Sequence, residues 1–262
     1  MPKTFSLIAI LLIFTLLLPA CGFAEPNQEP TSVFTADDLR SETIKSYADN
    51  GKLHQYIALG SYPQAEEGGT LPIIWRVLGI DQDGYALLFS EYVLFNQRVH
   101  GDFKQYVAFE GEFRKTEIWA TLNGSFLVKA FTPAEQALLV DDDALGKVFL
   151  VAADDLRNHD YGMSTERARQ GFGTPYALAN GLFRYGNAGR RSSPYWMRTR
   201  SKTMWDGGGV NCTKVDGKIG YIRCVVMNEG IRPAIRLALQ DGQLQVTDGD
   251  GSFDSPWTLP IP

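Results

Sequence analysis

Cysteines, histidines and a few acidic runs are the residues of this 262-residue sequence that could do chemistry. Cys212 and Cys224 lie in one strand-like stretch. In an oxidising compartment, two cysteines left together in a mature chain favour a disulfide. A redox or copper-assisted thiol pair is the sharper alternative, and neither cysteine has a context that matches one. The spacing sets a condition. A two-residue turn at Asp216-Gly217 would put Cys212 opposite Tyr221, on the other face from Cys224. The disulfide therefore needs a longer loop, such as Asp216 to Gly220, or a bulge. His54, His100 and His159 share no spacing with each other or with carboxylates, and the HExxH, nucleophile-elbow and P-loop patterns are absent. Asp141-Asp142-Asp143 follows a helix and reads as a solvated turn. Asp248 to Asp254 superficially resembles a calcium loop but lacks the glycine and terminal Glu in register. The sequence thus assigns no catalytic residue, no metal ligand and no cofactor.

Binding is better served. Trp196, Arg198, Trp205, Asn211 and Arg232 are the candidate lining of a ligand surface. Trp stacks on apolar faces of sugars or peptides, and Arg offers a fixed fork of donors. The competing reading places Trp75, Trp119, Trp196 and Arg232 in the core, with a buried Arg–carboxylate pair. Trp205, beside Gly207-Gly208-Gly209, is divided evenly between the two readings.

These residues need elements to hold them. Pro194–Leu239 carries dense strand-like alternation and is expected to form the central antiparallel sheet, with strands over Tyr195–Thr199, Val210–Val215, Ile219–Met227 and Ile231–Leu239. Upstream, Leu53–Leu59 reads as a strand and Gly60–Gln64 as a turn. Pro72–Ile80 and Tyr85–Ser90 form a hairpin through Asp83-Gly84. Residues 91–111 have no clear period and read as loop with short pieces. Glu117–Asn123 has helical spacing with Gly124 as its stop. Thr132-Pro133-Ala134-Glu135 is a helix start with Thr as N-cap, Pro at the first position and Glu at the third. Thr174-Pro175 repeats that start, and Gly181 ends its helix. Lys147–Val151 is a buried strand. Leu244–Thr247 reads as an added edge strand. Short helices between sheet-forming regions give an α+β class. One domain spans residues 34–247, followed by a C-terminal tail over 248–262.

The first residues give an address. Lys3 precedes the uncharged apolar run Leu7–Leu18. That run is too short to span a bilayer, and it suits the core of a signal peptide over residues 1–24. Leu18-Pro19-Ala20-Cys21 resembles a lipobox, in which the cysteine is lipidated; cleavage after Ala24 is the alternative. Residues 25–33 are polar and Pro-rich, a flexible tether. A short helix is expected from Asp38 to about Ala48. Without Lys3 the chain keeps 24 basic against 30 acidic groups. That balance argues against a nucleic-acid partner, which needs a basic face.

Taken in order, Gly60–Gln64, Pro72–Leu78, Ala86–Ser90, Trp119–Asn123, Ala130-Phe131, Lys147–Leu150, Pro175–Ala177, Trp196–Arg198 and Gly230–Ala234 resemble an uncharacterised bacterial domain-of-unknown-function family of exported and surface proteins. The resemblance covers about residues 53–240 and implies no activity. The Cys212–Cys224 insert and the sequence Tyr195–Thr199 depart from the family pattern. The closing aromatic-Arg and Arg-Pro-Ala segments are also similar to the end of the C-type-lectin-like fold, shared by sulfatase-modifying enzymes and many adhesins. That likeness implies antiparallel sheets with several short helices. The expected protein is an exported, lipid-anchored, non-catalytic binding module for a glycan or peptide, attached to the membrane through Cys21. The alternatives are a cell-envelope enzyme acting on glycan or peptide through unidentified carboxylates, and a purely structural envelope protein.

Overall fold

Alternating apolar residues drive the chain into strands from its first described position. The computed structural model describes residues 54–185, 192–225, 228–240 and 242–261. The expected signal peptide, Cys21, the expected tether and the helix expected from Asp38 lie outside them. Strand β1 (Gln55–Pro63) pairs antiparallel with β2 (Thr70–Ile80), and β2 pairs with β3 (Ala86–Ser90). The expected turn at Gly60–Gln64 is instead part of β1, interrupted by a bulge between Ala58 and Ser61. Gly60 makes this possible. Its φ of +68° suits glycine, and a Cβ there would sit 2.6 Å from the Ala130 carbonyl. The chain reverses one turn later, where Gln64 N–H donates to Gly69 O. The Asp83-Gly84 turn forms as expected: Asp81 accepts from the N–H groups of Asp83 and Tyr85.

The central sheet differs from expectation in its membership. It has five strands in the order β1-β2-β3-β10-β5, all antiparallel. Strand β10 is Ala234–Leu237 and β5 is Val148–Phe149. Of the Pro194–Leu239 stretch, only β10 joins this sheet. The rest is split between a three-stranded sheet, β6 (Trp196–Arg200), β7 (Gly209–Thr213) and β8 (Ile219–Arg223), and a β4–β9 pair, Phe95–Gln97 with Glu229–Ile231. Pro233, which has no N–H to donate, separates β9 from β10 and lets the chain change sheets. Strand β3 is buried at every position, as befits a strand covered on both faces.

Short helices fill the gaps. Helix α1 (Phe103–Ala108) is capped by Asp102, whose carboxylate accepts from Gln105 N–H. Helix α2 (Glu117–Thr121) is capped by Thr116, but Gly124 does not stop it. The chain continues through a wide π-type turn, Leu122–Phe126, into α3 (Leu127–Ala130). Leu122, Phe126 and Leu127 are all buried, and that core contact outweighs glycine's helix penalty. Helix α4 (Pro133–Leu138) has the full capping box between Thr132 and Glu135. The second oxygen of Glu135 accepts from Gly60 N–H at 3.0 Å, which ties the cap to the bulge. Helix α5 (Pro175–Ala179) starts at Thr174 as expected.

Residues 248–261 do not trail away. Tyr56 N–H donates to Gly251 O, Ala58 N–H to Trp257 O, and Trp257 N–H back to Tyr56 O. Leu259 is buried and Phe253 meets Tyr56 edge-on at 5.4 Å. The tail therefore covers the outer edge of β1, and the domain boundary expected at 247 falls inside one packed unit. Leu244–Thr247 forms no strand; single bridges at Gln240–Gln243 and Asp248–Thr258 flank it.

Candidate binding surface

The residues expected to line one surface are divided by the fold. Trp196 is wholly buried, and its indole N–H donates to Gln97 O at 2.8 Å. Arg232 is wholly buried too, in the chain's charged core. There Arg76 grips Glu91 with two bonds of 2.8 and 2.6 Å, and Arg232 Nε donates to Ser90 O at 2.6 Å. The Arg232 guanidinium lies 4.1 Å from the Phe89 ring centre and 5.4 Å from that of Tyr195. Burial works against the charge of Arg76, but the Glu91 carboxylate, together with Tyr56 and Tyr195, outweighs it and raises the guanidinium pKa. Arg232, with Glu91 as its more distant carboxylate at 3.9 Å, is shifted down by burial instead. Trp196 and Arg232 thus hold the core and leave the candidate ligand lining.

Arg198 is part-exposed. It donates to Leu150 O at 2.8 Å and pairs with Asp155 at 3.1 Å. With Thr199 it forms one end of an open groove. Two adjoining hollows, of about 500 and about 430 Å³, share Arg114 and Asp143 and make up this groove. Arg114 lies over the Trp119 ring at 5.5 Å and also donates to Asp143 O. Asp142 accepts from the N–H groups of Ala144 and Leu145 and pairs with Arg236 at 3.0 Å. Burial opposes its charge, yet those donors and Arg236 hold its carboxyl below the ordinary value. Asp142 is therefore a fixed anion with a structural task, beyond the solvated turn read from the sequence.

Trp205 is 94% exposed. Its loop is nonetheless pinned at both ends. Arg200, the last residue of β6, donates to Gly207 O and to Glu110 O, each at 3.0 Å. Asp206 accepts from Gly208 N–H and pairs with Arg223, whose guanidinium lies 5.3 Å from the Phe103 ring centre. The glycine run follows from this packing. Gly207 turns the chain at φ +76°, and a Cβ at Gly208 would collide with the Phe103 ring. A small loop fixed by a cation, an ion pair and three glycines holds a large aromatic ring in water.

The β6–β7–β8 sheet leads away from that loop. Asn211 pairs with Tyr221 and Gly209 with Arg223, so these side chains share one face. Asn211 spends its Nδ2 on Gly220 O, and Tyr221 is 43% exposed. Of the lining expected from the sequence, Asn211 lies on this face, and Trp205 stands on the loop that Arg223 holds through Asp206. Tyr221 and Arg223 join them, although no local pattern marks them out. The same register accounts for the cysteines. Cys212 faces Gly220 across the hairpin and Cys224 lies four residues beyond, roughly 14 Å along the strand at its usual rise. A disulfide needs Cα atoms about 4.4–6.8 Å apart. The expected Cys212–Cys224 bond is accordingly not formed here: both thiols are free and buried. Burial pushes Cys212 up to about 12 and Cys224 up to about 11.

No protein-family model, curated protein or solved structure matches this chain. Among the described residues no group of three or more His, Cys, Asp or Glu side chains converges as a metal site, and no helix is long and apolar enough to cross a membrane.

Proposed function

We propose that this is an exported, lipid-anchored, non-catalytic binding module with a C-type-lectin-like architecture, and that it takes a glycan or peptide ligand on the face bearing Trp205, Asn211, Tyr221 and Arg223. The observation that carries the proposal is the clamped, water-exposed Trp205. Covering an aromatic ring of this size releases about 2–3 kcal/mol, so a chain that holds one out on a fixed loop forgoes that gain in the free state and recovers it on contact. Tyr221 is exposed on the sheet face that also carries Asn211 and Arg223, which supply polar groups beside it. The lipid anchor rests on Cys21 and the apolar run before it. The lectin-like architecture is supported by the α+β mixture and by the late strand β10 seated between β3 and β5.

The test uses the mature chain on arrays of cell-envelope glycans and of linear peptides. Wild type should retain a defined subset, and Trp205→Ala should lose at least tenfold in affinity with an unchanged melting temperature. Equal binding by the two proteins would contradict the proposal.

A further inference from the structure

The groove that ends at Arg198 has sides fixed by backbone bonds. One side is the turn over residues 142–146, closed by Gly146 N–H donating to Asp142 O at 2.7 Å. The Asp142 carboxylate holds this turn through the N–H groups of Ala144 and Leu145, and the Trp119 indole N–H holds it by donating to Leu145 O at 2.8 Å. Another side is the tight turn Phe113–Lys115, rooted in the core by the buried Phe113.

Arg114 extends from that second turn and lines both hollows of the groove, so its side chain stands at their junction. Its guanidinium lies over the half-buried Trp119 ring, 5.5 Å from the centre, and donates to Asp143 O. Arg114 is exposed and makes no ion pair among the described residues. A cation–π contact in such an exposed setting shifts an equilibrium only about two- to fivefold. The side chain can therefore turn out into water while Phe113 keeps its backbone in place. What it leaves is a seat already shaped for a guanidinium: an aromatic face for the charge and a carbonyl for a donor. The surroundings of the seat are acidic. Asp141 and Asp143 are exposed and form no ion pair among the described residues, whereas Asp142 is committed to Arg236. Lys147, the remaining cation of that hollow, is anchored to Gln136 O at 2.8 Å and offsets one of the two free carboxylates. The formal net charge of the chain, -5, favours a cationic ligand as well.

We propose that this groove is a guanidinium-binding site, filled in the free protein by the chain's own Arg114, and that it takes an arginine side chain or a free guanidino compound in exchange. The site is independent of the Trp205 reading, because Trp205 does not line the groove. A guanidinium is preferred to an ammonium there. Its planar fork reaches the Asp143 carbonyl while the charge stays over the ring, and it sheds water more readily than a compact ammonium does. The hollows of about 500 and about 430 Å³ join once Arg114 leaves, and each already has the size of a small-molecule site.

The experiment titrates N-acetyl-L-arginine amide into the mature chain and follows the indole N–H resonances by NMR, with that of Trp119 assigned through Trp119→Phe. Wild type should bind weakly. Arg114→Ala should bind about threefold or more tightly, since the resident competitor is gone, with an unchanged melting temperature. Arg114→Gln, which keeps a donor for the Asp143 carbonyl and removes the charge, gives the same test should the alanine variant be unstable. Adding Asp141→Asn and Asp143→Asn to Arg114→Ala should weaken binding again, a loss that a purely structural role for Arg114 does not produce. The uncharged isostere N-acetyl-citrulline amide should bind to none of these proteins, and the lysine counterpart should bind more weakly than arginine. Free L-arginine and a tripeptide with a central arginine and blocked ends separate the two sources: both carry the group and both should bind, the tighter one naming the source. Equal binding by wild type and Arg114→Ala would overturn the proposal, as would equal binding of the arginine and citrulline compounds or no binding of any arginine compound. Trp205→Ala should leave arginine binding unchanged, so failure of this site and failure of the Trp205 face are read separately.

Discussion

Trp196 and Trp205 show what a single residue type means in two settings. Both belong to the same strand–loop–strand segment, yet one is wholly buried and the other is 94% exposed. The three glycines after Trp205 point to a loop, but its role is not legible in the sequence, because the clamp is made by Arg200, Arg223 and Phe103, which are distant or differently spaced in the chain. The state of the cysteines is hidden for a related reason: their pairing depends on hairpin register, and a shift of one residue in the loop moves every partner. Both thiols should resist alkylation in the native protein, and both should react after unfolding without reductant, as read by mass spectrometry. A single bridged species would contradict this. Burial raises both thiol pKa values in the folded state above the ordinary value of about 8.5. The neutral thiol is the form the core favours. Its contribution is complete below about pH 8.5 and is lost as pH rises through about 11 and about 12. Urea midpoints should fall over that alkaline window, and Cys212→Ala should flatten part of the slope.

At the scale of elements, local chemistry is readable and long-range pairing is not. Thr132-Pro133-Glu135 and Thr174-Pro175 each announce a helix start because a cap needs only neighbours. The Asp83-Gly84 hairpin is local in the same sense. Gly124 fails as a stop because Phe126 and Leu127 are fixed in the core by residues far along the chain. No pattern places β10 between β3 and β5, or reveals that β8 ends its sheet, since both are facts of non-local pairing. The β6 strand tests how much its sheet contributes. Tyr195, Trp196 and Met197 are all fully buried, so this strand is covered on both faces before Arg198 reaches the groove. Trp196→Ala should cost about 3–5 kcal/mol, the range for emptying a large aromatic site. A denaturation midpoint close to wild type would show that the β6 sheet is not part of the stability core.

For the whole molecule, the proposed function pairs a lipid anchor on Cys21 with a domain that exposes Trp205 to water. Membrane attachment through Cys21 is testable by fractionation. Cys21→Ala should move the protein from the membrane to the soluble exported fraction, and unchanged partitioning with Glu25 at the N-terminus would contradict it. The central claim is that Trp205 meets water in the free protein and ligand in the complex. Subtracting the emission of Trp205→Phe from that of wild type isolates this one indole among the five tryptophans. In the free protein the difference signal should be that of a hydrated ring, fully accessible to acrylamide. With a saturating glycan or peptide taken from the arrays, it should shift to the blue and lose most of its quenching. A Trp205 signal already shielded before ligand is added, or one that stays unchanged at saturation, would contradict that claim.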